Sequence, residues 1–415
     1  MIELQEAKES FILIGVSVGD TFKNGNRIAD ETEESLEELK ELVRTAGADV
    51  CGTLIQNREE PDRTTYFGKG KVEELCEMIS SLGATGVVCD DELSPAQLSN
   101  LEEAIDCKVL DRTQVILDIF AQHARTREGK IQVELAQLKY RQSHLIGMRS
   151  NLSRLGGGIG TRGPGEKKLE IDRRLIRNRI SELNADLDDV VRSRDVTRAQ
   201  RMKANVPSAA IVGYTNAGKS TLLNALTGAD VLEEDKLFAT LDPTVRELVL
   251  DKGQKILLTD TVGFVRKLPH NLIDAFRSTL EEAKYCDIIL QVVDASSPDY
   301  LRHMEVTYET LNDLGVTGKT FVTLFNKCDR LTEEKTLKDL KADYTLRISA
   351  KEGLGLEEVC RTLDQIIKNG REYIEKVFGF NEAGEIQNIR RHGQIISEEY
   401  MEDGIHVCAY IEKTK

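Results

Sequence analysis

The sequence predicts an α/β fold: a doubly wound, mostly parallel sheet domain, preceded by a smaller parallel α/β domain and an antiparallel helical hairpin. Short apolar runs alternate with amphipathic stretches at both ends of the chain. A glycine-rich segment interrupts two long helical patterns in the middle. A G-x4-G-K-S motif lies between an apolar run and a helical pattern. The expected divisions are an N-terminal α/β domain at 1–118, the hairpin at 119–205, the motif-bearing domain at 206–372 and a small C-terminal segment at 373–415.

The N-terminal region shows the strand–helix alternation first. Buried strands rich in Val and Ile are predicted at 11–19 and 84–90, with a weaker third at 48–56. Between the strands at 11–19 and 48–56, apolar residues at helical spacing predict a helix that ends near Gly47. Strands that alternate with helices indicate a parallel sheet.

The middle region has a different character. Its segment 156–165 has six glycines in ten residues. A second helix is predicted from Glu166, with apolar residues spaced as in a coiled-coil seam at Ile176, Ile180, Leu183, Leu187 and Val190. We expect a long antiparallel hairpin with a functional loop at its tip, and a plain flexible linker is the alternative.

The alternation resumes at residue 206. Strands are predicted at 208–212, 255–260, 288–296, 319–327 and 345–349. Helices are predicted at 271–285, 300–314 and 355–369. This order is typical of a doubly wound sheet. In the C-terminal segment, 404–412 predicts a strand.

The formal charge of −15 is unevenly distributed. Residues 1–118 carry net −15, residues 119–205 net +9 and residues 206–415 net −9. An evenly acidic chain would argue against a nucleic-acid partner. A basic arm with a glycine-rich tip instead favours RNA contact, because Arg and Lys neutralise phosphates, although a solvated face is the alternative. The basic residues near the tip are Arg149, Arg154, Arg162, Lys167, Lys168, Arg173, Arg174 and Arg177.

Membrane and disulfide-rich classes are not indicated. No run of about 18 apolar residues is present, and the first residues lack the order of a signal peptide. The eight cysteines are dispersed and form no CxxC pair, which is typical of reduced cysteines rather than a zinc site. We therefore expect a cytoplasmic protein without a membrane span.

The segment 213–221, GYTNAGKST, matches G-x4-G-K-[ST]. Its glycines allow backbone N–H groups to turn onto phosphate oxygens, and the following helix N-terminus adds partial positive charge. We expect Lys219 to reach the β- and γ-phosphates and Ser220 to bind Mg²⁺.

The NKCD segment at 326–329 predicts which base is bound. A carboxylate offers two acceptors side by side, which match N1–H and N2–H of guanine and no such pair on adenine. Asp329 therefore predicts selection of GTP and GDP. ISAKEG at 348–353 has the composition of a second base-contacting loop.

Two further segments predict a switch that depends on the γ-phosphate. In DTVG at 260–263, Asp260 would hold Mg²⁺ through water and the Gly263 N–H would contact the γ-phosphate. In 237–245, Thr240 is preferred as the residue that closes over Mg²⁺, with Thr244 as a competitor.

The residue after DTVG is Phe264, which cannot orient water, so we expect slow hydrolysis that a partner or another group accelerates. Asn216 is either a K⁺ ligand or a loop-bracing amide. The predicted catalytic residues are Lys219, Thr240 and Gly263. The predicted nucleotide-binding residues are Gly213, Tyr214, Thr215, Asn216, Ala217, Gly218, Lys219, Ser220, Thr221, Phe238, Ala239, Thr240, Leu241, Asp242, Asp260, Thr261, Val262, Gly263, Asn326, Lys327, Cys328, Asp329, Ser349, Ala350 and Lys351.

The segments 163–174, 213–226, 237–246 and 260–269 together resemble the HflX family, in the Obg–HflX branch of translation-factor GTPases. The resemblance covers about 10–370. It implies a P-loop GTPase domain that binds GTP or GDP with Mg²⁺, associates with the large (50S) ribosomal subunit and controls ribosome splitting or rescue under stress. Residues near 149–177 would contact rRNA, and the protein would be a monomer off the ribosome.

Two other functions stay open. A regulatory switch could bind a protein partner through the hairpin without RNA. The sequence GKGK at 68–71 is similar to half a phosphate loop, so an RNA-remodelling factor with a second ATP site is also considered. A helix N-terminus that contacts RNA or packs locally is the alternative at that segment.

Overall fold

The computed structural model describes residues 8–412, except 24–25, 29, 153–163, 204–205, 229–236, 239–241, 268–281, 332–335 and 402. The chain forms two compact units. The first comprises Met1–Leu187 and Arg266–Ala275, and the second Asp188–Val265 and Phe276–Lys415.

The first unit contains a four-stranded parallel sheet with the order β4-β1-β5-β6. Its strands are β1 (Ser10–Ser17), β4 (Asp49–Asn57), β5 (Gly86–Cys89) and β6 (Lys108–Asp111), and a small hairpin is formed by β2 (Thr21–Lys23) and β3 (Asn26–Ile28). Its helices are α1 (Thr32–Thr45), α2 (Lys69–Leu82), α3 (Pro95–Ile105) and α4 (Arg112–His123). Residues 11–16 are all buried, as expected of a central parallel strand. The three predicted strands are present, whereas β6, with the sequence KVLD, has only two apolar residues and was not predicted.

Two capping boxes define helix starts in this unit. Ser94 accepts from the Gln97 N–H and Asp111 from the Gln114 N–H, and each glutamine bonds back to its cap. The second box starts α4, which runs across the division expected at 118–119.

The hairpin consists of α5 (Arg127–Leu152) and α6 (Pro164–Lys203). Arg179 forms two hydrogen bonds with Glu134, at 2.8 and 3.2 Å, and Arg173 donates to the Leu145 carbonyl. Because the later residue of α6 pairs with the earlier residue of α5, the two helices are antiparallel. On α6, the residues of the predicted seam are less exposed than their neighbours: Leu183 is buried, and Ile176, Ile180, Leu187 and Val190 are half-buried. Most of the glycine-rich segment lies outside the described residues.

The second unit is built on a six-stranded sheet with the order β12-β11-β10-β7-β9-β8. Its strands are β7 (Ser208–Gly213), β8 (Thr244–Val249), β9 (Lys255–Asp260), β10 (Ile288–Asp294), β11 (Thr320–Asn326) and β12 (Tyr344–Arg347), and its helices include α7 (Lys219–Thr227), α8 (Tyr300–Asp313) and α9 (Leu356–Gly370). All five predicted strands are present, and the unpredicted β8 is an antiparallel edge. Of the helix predicted at 271–285, residues 282–285 are described and are helical.

The C-terminal segment forms an antiparallel sheet with the order β13-β15-β14. Its elements are β13 (Arg371–Phe378), α10 (Ala383–His392), β14 (Gly393–Met401) and β15 (Gly404–Glu412). Phe378, Ile386 and Val407 lie in its apolar core. The Gln254 amide donates to Gln394 Oε1 at 2.6 Å, which connects this sheet to the turn between β8 and β9. The sequence predicted β15 alone, because the apolar residues of β13 and β14 occur only in adjacent pairs, separated by charged or polar residues.

Candidate functional site

The predicted P-loop lies at the carboxyl end of β7, where the strand order reverses. The loop 213–218 connects β7 to α7, and both of its glycines have left-handed backbone angles. A Cβ at Gly213 would lie 2.2 Å from the Val292 carbonyl oxygen, and one at Gly218 would lie 2.3 Å from Asn326 Nδ2. Glycine is therefore required at both positions for conformation and for space.

Lys219 is the first residue of α7 and is buried. Its Nζ donates to the Tyr214 carbonyl at 2.8 Å. Burial lowers the pKa of Lys219 to about 8, with Asp260 opposing this shift and Lys327 adding to it. A buried ammonium at the loop is suited to anionic phosphate oxygens.

Ser220 and Asp260 come together although they are far apart in sequence. The Ser220 hydroxyl donates to Asp260 Oδ2 at 2.7 Å, and Asp260 is fully buried at the end of β9. Oxygen ligands of this kind are the ones that Mg²⁺ prefers.

The DTVG segment lies directly against the P-loop. The Thr215 N–H donates to the Phe264 carbonyl at 2.8 Å, and the Phe264 N–H donates to the Gly213 carbonyl at 3.1 Å. The Thr261 hydroxyl bonds the Ile211 carbonyl at 2.8 Å. A Cβ at Gly263 would lie 2.9 Å from Lys219 Nζ, so this glycine packs on Lys219.

The other predicted switch segment is only partly described. Phe238 is buried with a left-handed backbone, and Asp242 is half-buried. The predictions for Ala239, Thr240 and Leu241 fall outside the described residues. Thr244 starts β8 and pairs with Asp260 across the sheet.

The NKCD segment joins the P-loop to the second base loop. Asn326 Nδ2 donates to the Ala217 carbonyl at 2.8 Å, and its Oδ1 accepts from the Ala350 N–H at 2.9 Å. Lys327 Nζ donates to the Asn216 carbonyl at 2.8 Å. The Asp329 side chain is exposed, with no hydrogen bond or ion pair to other described residues, and is free to accept from a base.

The structure adds two residues that the motifs did not identify. Asp294, at the end of β10, contacts Lys327 Nζ at 2.7 Å. Burial alone would raise the pKa of Asp294, but the bonds from Lys327 and Ser296 lower it below its ordinary value. His303 on α8 stacks on Tyr214 with ring centroids 3.9 Å apart. Asp294 can be identified as a partner of the NKCD segment only when β10 is known to lie between β7 and β11.

The remaining predicted features are placed as follows. Gly68 caps α2, its N–H is bound by Gln56 Oε1 at 2.9 Å, and Lys71 pairs with Glu74. These contacts are those of a local helix start. All eight cysteines are unpaired. Among the described residues, no helix is long and apolar enough to cross a membrane, and no cluster of three His, Cys, Asp or Glu is suited to a metal.

This geometry defines a class of protein. A P-loop between a strand and a helix, a buried lysine at its end, and an NKCD loop bonded to it are the components of a P-loop GTPase domain.

Comparisons with known proteins identify the family. Residues 33–121, 123–201 and 208–327 match family models described as GTP-binding GTPase N-terminal, GTP-binding GTPase Middle Region and 50S ribosome-binding GTPase. GTPase HflX of Lacrimispora saccharolytica is 61% identical over 99% of this chain and 95% of its own length. GTPase HflX of Caldanaerobacter subterraneus subsp. tengcongensis is 47% identical over 99% and 93%. A GTP-binding protein from Sulfolobus solfataricus in complex with GDP is 24% identical, with coverage of 86% and 98% and a TM-score of 0.44.

The chain belongs to the HflX family of GTPases and is a GTP hydrolase.

Proposed function

We propose that this HflX GTPase uses GTP binding and hydrolysis to act on the large ribosomal subunit, whose RNA it contacts through the hairpin. The match of residues 208–327 to the 50S ribosome-binding GTPase family carries this proposal. GTP hydrolysis resets the switch and releases the subunit, a cycle suited to splitting or rescuing stalled ribosomes under stress. Such a protein acts in the cytoplasm and is a monomer off the ribosome.

Mg²⁺ fits the residues at the end of the P-loop. The Ser220 hydroxyl and the buried Asp260 carboxylate lie 2.7 Å apart and provide oxygen ligands, Asp260 through water. Thr240 is proposed as a further ligand. When bound, the ion neutralises charge on the β- and γ-phosphates.

In the hydrolytic reaction, water attacks the γ-phosphorus of GTP, the bond from that phosphorus to the bridging oxygen of the β-phosphate breaks, and GDP and inorganic phosphate are released. Lys219 and the P-loop N–H groups stabilise the transferring charge, and the Gly263 N–H contacts the γ-phosphate. Phe264 is apolar and 2% exposed, so it does not orient the water. Intrinsic hydrolysis is therefore slow and needs a partner or an additional group.

K⁺ is the proposed additional group. Asn216 has a left-handed backbone, its side chain is exposed, and this amide bonds no other described residue. It is thus available to an ion beside the phosphates. Faster GTP turnover in K⁺ than in Na⁺, lost in Asn216→Ala, is the expected result, whereas equal turnover in both salts would contradict it.

The exposed arginines of α6 support RNA contact. Arg174 and Arg177 have exposed side chains, whereas Arg173 is half-buried and bonded to Leu145. Arg174 and Arg177 are therefore the better test of RNA contact, because reversing Arg173 would also disturb the hairpin.

Co-sedimentation with 50S particles in a non-hydrolysable GTP analogue tests the proposal. We expect binding that weakens steeply with salt and is lost in Arg174→Glu/Arg177→Glu. Arg192→Glu is the control, because Arg192 is also exposed on the same helix, 18 residues further along the chain from Arg174. No co-sedimentation of the unaltered protein would overturn the proposal. Binding indifferent to salt and to the double reversal would indicate a protein partner.

A further inference from the structure

The carboxylate of Asp294, at the end of β10, lies against the lysine of the NKCD segment. Asp294 Oδ2 contacts Lys327 Nζ at 2.7 Å, and the same ammonium donates to the Asn216 carbonyl at 2.8 Å. The side chains of Lys327 and Asp294 are 16% and 19% exposed, so little water screens their contact. Within the second unit, one ammonium group therefore connects the end of β10 to the P-loop.

Asp294 is itself held in a fixed orientation. Its other oxygen, Oδ1, accepts from the Ser296 N–H at 2.9 Å and from the Ser296 hydroxyl at 2.6 Å. The Ala295 N–H donates to the Asn326 carbonyl at 2.9 Å, which joins the ends of β10 and β11. Burial raises the pKa of Asp294, but the bonds from Lys327 and Ser296 lower it below its ordinary value, so the carboxylate is ionised near neutral pH. The position of this anion is thus set by contacts that do not depend on Lys327.

The two residues that the Lys327 ammonium joins have uncommon backbone conformations. The φ angle is +60° at Lys327 and +58° at Asn216, in the left-handed region that residues with a side chain rarely adopt. Such conformations persist where surrounding contacts hold them. A lysine side chain is long, flexible and strongly hydrated, so a bond to one neutral carbonyl restrains it weakly. The charge of Asp294 supplies the additional attraction that keeps the ammonium at the P-loop.

We propose that Asp294 is a positioning residue for nucleotide binding, which holds the Lys327 ammonium on the Asn216 carbonyl and so keeps the P-loop in the conformation that receives GTP and GDP. This inference rests on the predicted place of Lys327 in the nucleotide site. Neither Asp294 nor Lys327 is a predicted contact of the γ-phosphate or of Mg²⁺. The binding of GTP and the binding of GDP should therefore depend on Asp294 equally.

Affinities for fluorescent GDP and for a non-hydrolysable GTP analogue test the proposal in Asp294→Ala. We expect both affinities to fall by the same factor, about three- to tenfold, because Lys327 loses a charge-assisted bond and the loop loses its restraint. In hydrolysis, the loss should appear in KM rather than in kcat. Asp294→Asn keeps an oxygen for Lys327 without the charge and should lose less affinity than Asp294→Ala.

A double-mutant cycle with Lys327→Met isolates the contact between the two side chains. When the ammonium is absent, replacing Asp294 by Ala should cost little further affinity, so the two losses should not be additive. Additive losses, an unchanged affinity in Asp294→Ala, or a loss confined to GTP would each overturn the proposal.

Asp339→Ala is the control for a loss of stability. Asp339 is also half-buried in the second unit, and it accepts from the Thr323 hydroxyl on β11 and from the Tyr308 hydroxyl, both at 2.7 Å. Asp339→Ala should lower Tm and leave both nucleotide affinities unchanged at temperatures where the variant is folded. An affinity loss equal to that of Asp294→Ala would show that Asp294→Ala acts through general destabilisation.

Inosine diphosphate separates a displaced Lys327 from a disturbed NKCD segment. This nucleotide lacks the N2–H from which Asp329 is predicted to accept. Asp294→Ala should weaken the binding of GDP and of inosine diphosphate by the same factor. If the preference for GDP were lost instead, the whole segment that carries Asp329 would be disturbed, and a role of Asp294 through the P-loop would be wrong.

Lys327→Met by itself distinguishes this proposal from the prediction on which it rests. If Lys327→Met leaves both affinities unchanged, the place of Lys327 in the nucleotide site is wrong. If Lys327→Met lowers both affinities and Asp294→Ala lowers neither, only the positioning role of Asp294 is wrong.

Discussion

At the scale of single residues, Asp329 is the side chain on which guanine selection depends. Its exposed carboxylate makes no hydrogen bond or ion pair with other described residues, so Asp329→Asn should leave the fold intact. We expect GTP affinity to fall on the order of 10²-fold, because two charge-assisted hydrogen bonds are lost, while xanthosine triphosphate binds better. Competition against fluorescent GDP measures the affinities for both triphosphates. As a control, Asp313→Asn changes an exposed Asp of the same unit and should leave both affinities unchanged. An unchanged preference for GTP in Asp329→Asn would show that Asp329 does not select guanine.

Gly218 carries a second prediction at this scale. Its φ is +94°, and a methyl group there would meet Asn326 Nδ2. Gly218→Ala should displace that amide from Ala217 and lower the affinities for GTP and GDP together, by about tenfold or more. Gly228→Ala is the matched control, since its φ is +64° but nothing lies near its Cβ. The control should cost about 1 kcal/mol of stability and no affinity, measured by denaturation and titration. Equal affinity losses in both variants would contradict the steric argument.

At the scale of elements, Arg112 joins α4 to α1 and to the end of β5. Its guanidinium is almost fully buried between Glu38 and Asp90. Arg112→Leu removes this guanidinium from the buried carboxylates of Glu38 and Asp90, so the free energy of unfolding should fall by about 3–5 kcal/mol. Arg44→Leu removes only an exposed pair with Glu41 and should cost under about 1 kcal/mol.

The pH dependence of this loss has a definite sign. Burial raises the pKa of Asp90, but Arg112 and Lys267 outweigh burial and hold it below its ordinary value. When the folded state lowers the pKa of a carboxyl group, the ionised group stabilises the fold at pH values above the unfolded pKa. This stabilisation is lost as the pH falls through the folded pKa. The stability deficit of Arg112→Leu, measured by chemical denaturation, should therefore be largest at pH 7 and should shrink as the pH falls below the ordinary Asp pKa of 3.8. A deficit that grew toward low pH would show that the ion pair is not its cause.

At the scale of the whole molecule, the charge distribution predicts selective rather than general RNA binding. The segments before and after the hairpin carry −15 and −9 and should be repelled from RNA, while the hairpin carries +9. At about physiological salt, we expect 50S particles to bind and unstructured single-stranded RNA not to bind, measured by filter retention. Equal affinity for both would mean that the hairpin acts as a general polycation.

Much of the fold and site could be predicted because the signals are local. Each P-loop glycine, Lys219, Ser220 and Asp329 lies in a short motif whose backbone requirements leave a recognisable spacing. The long strands of both sheets are continuous apolar runs, since parallel strands are buried on both faces. The strands β6, β8 and β13 lack a continuous apolar run and were not predicted.

The sequence by itself determined the class of nucleotide, the order of the loops that bind it and the sign of charge on the hairpin. Only the tertiary structure decided which distant residues meet: Asp294 with Lys327, and Asn326 with both Ala217 and Ala350. The physical reason is that these pairs form where the ends of different strands are brought together. Strand order follows from packing of the whole sheet, and no local pattern of residues encodes it.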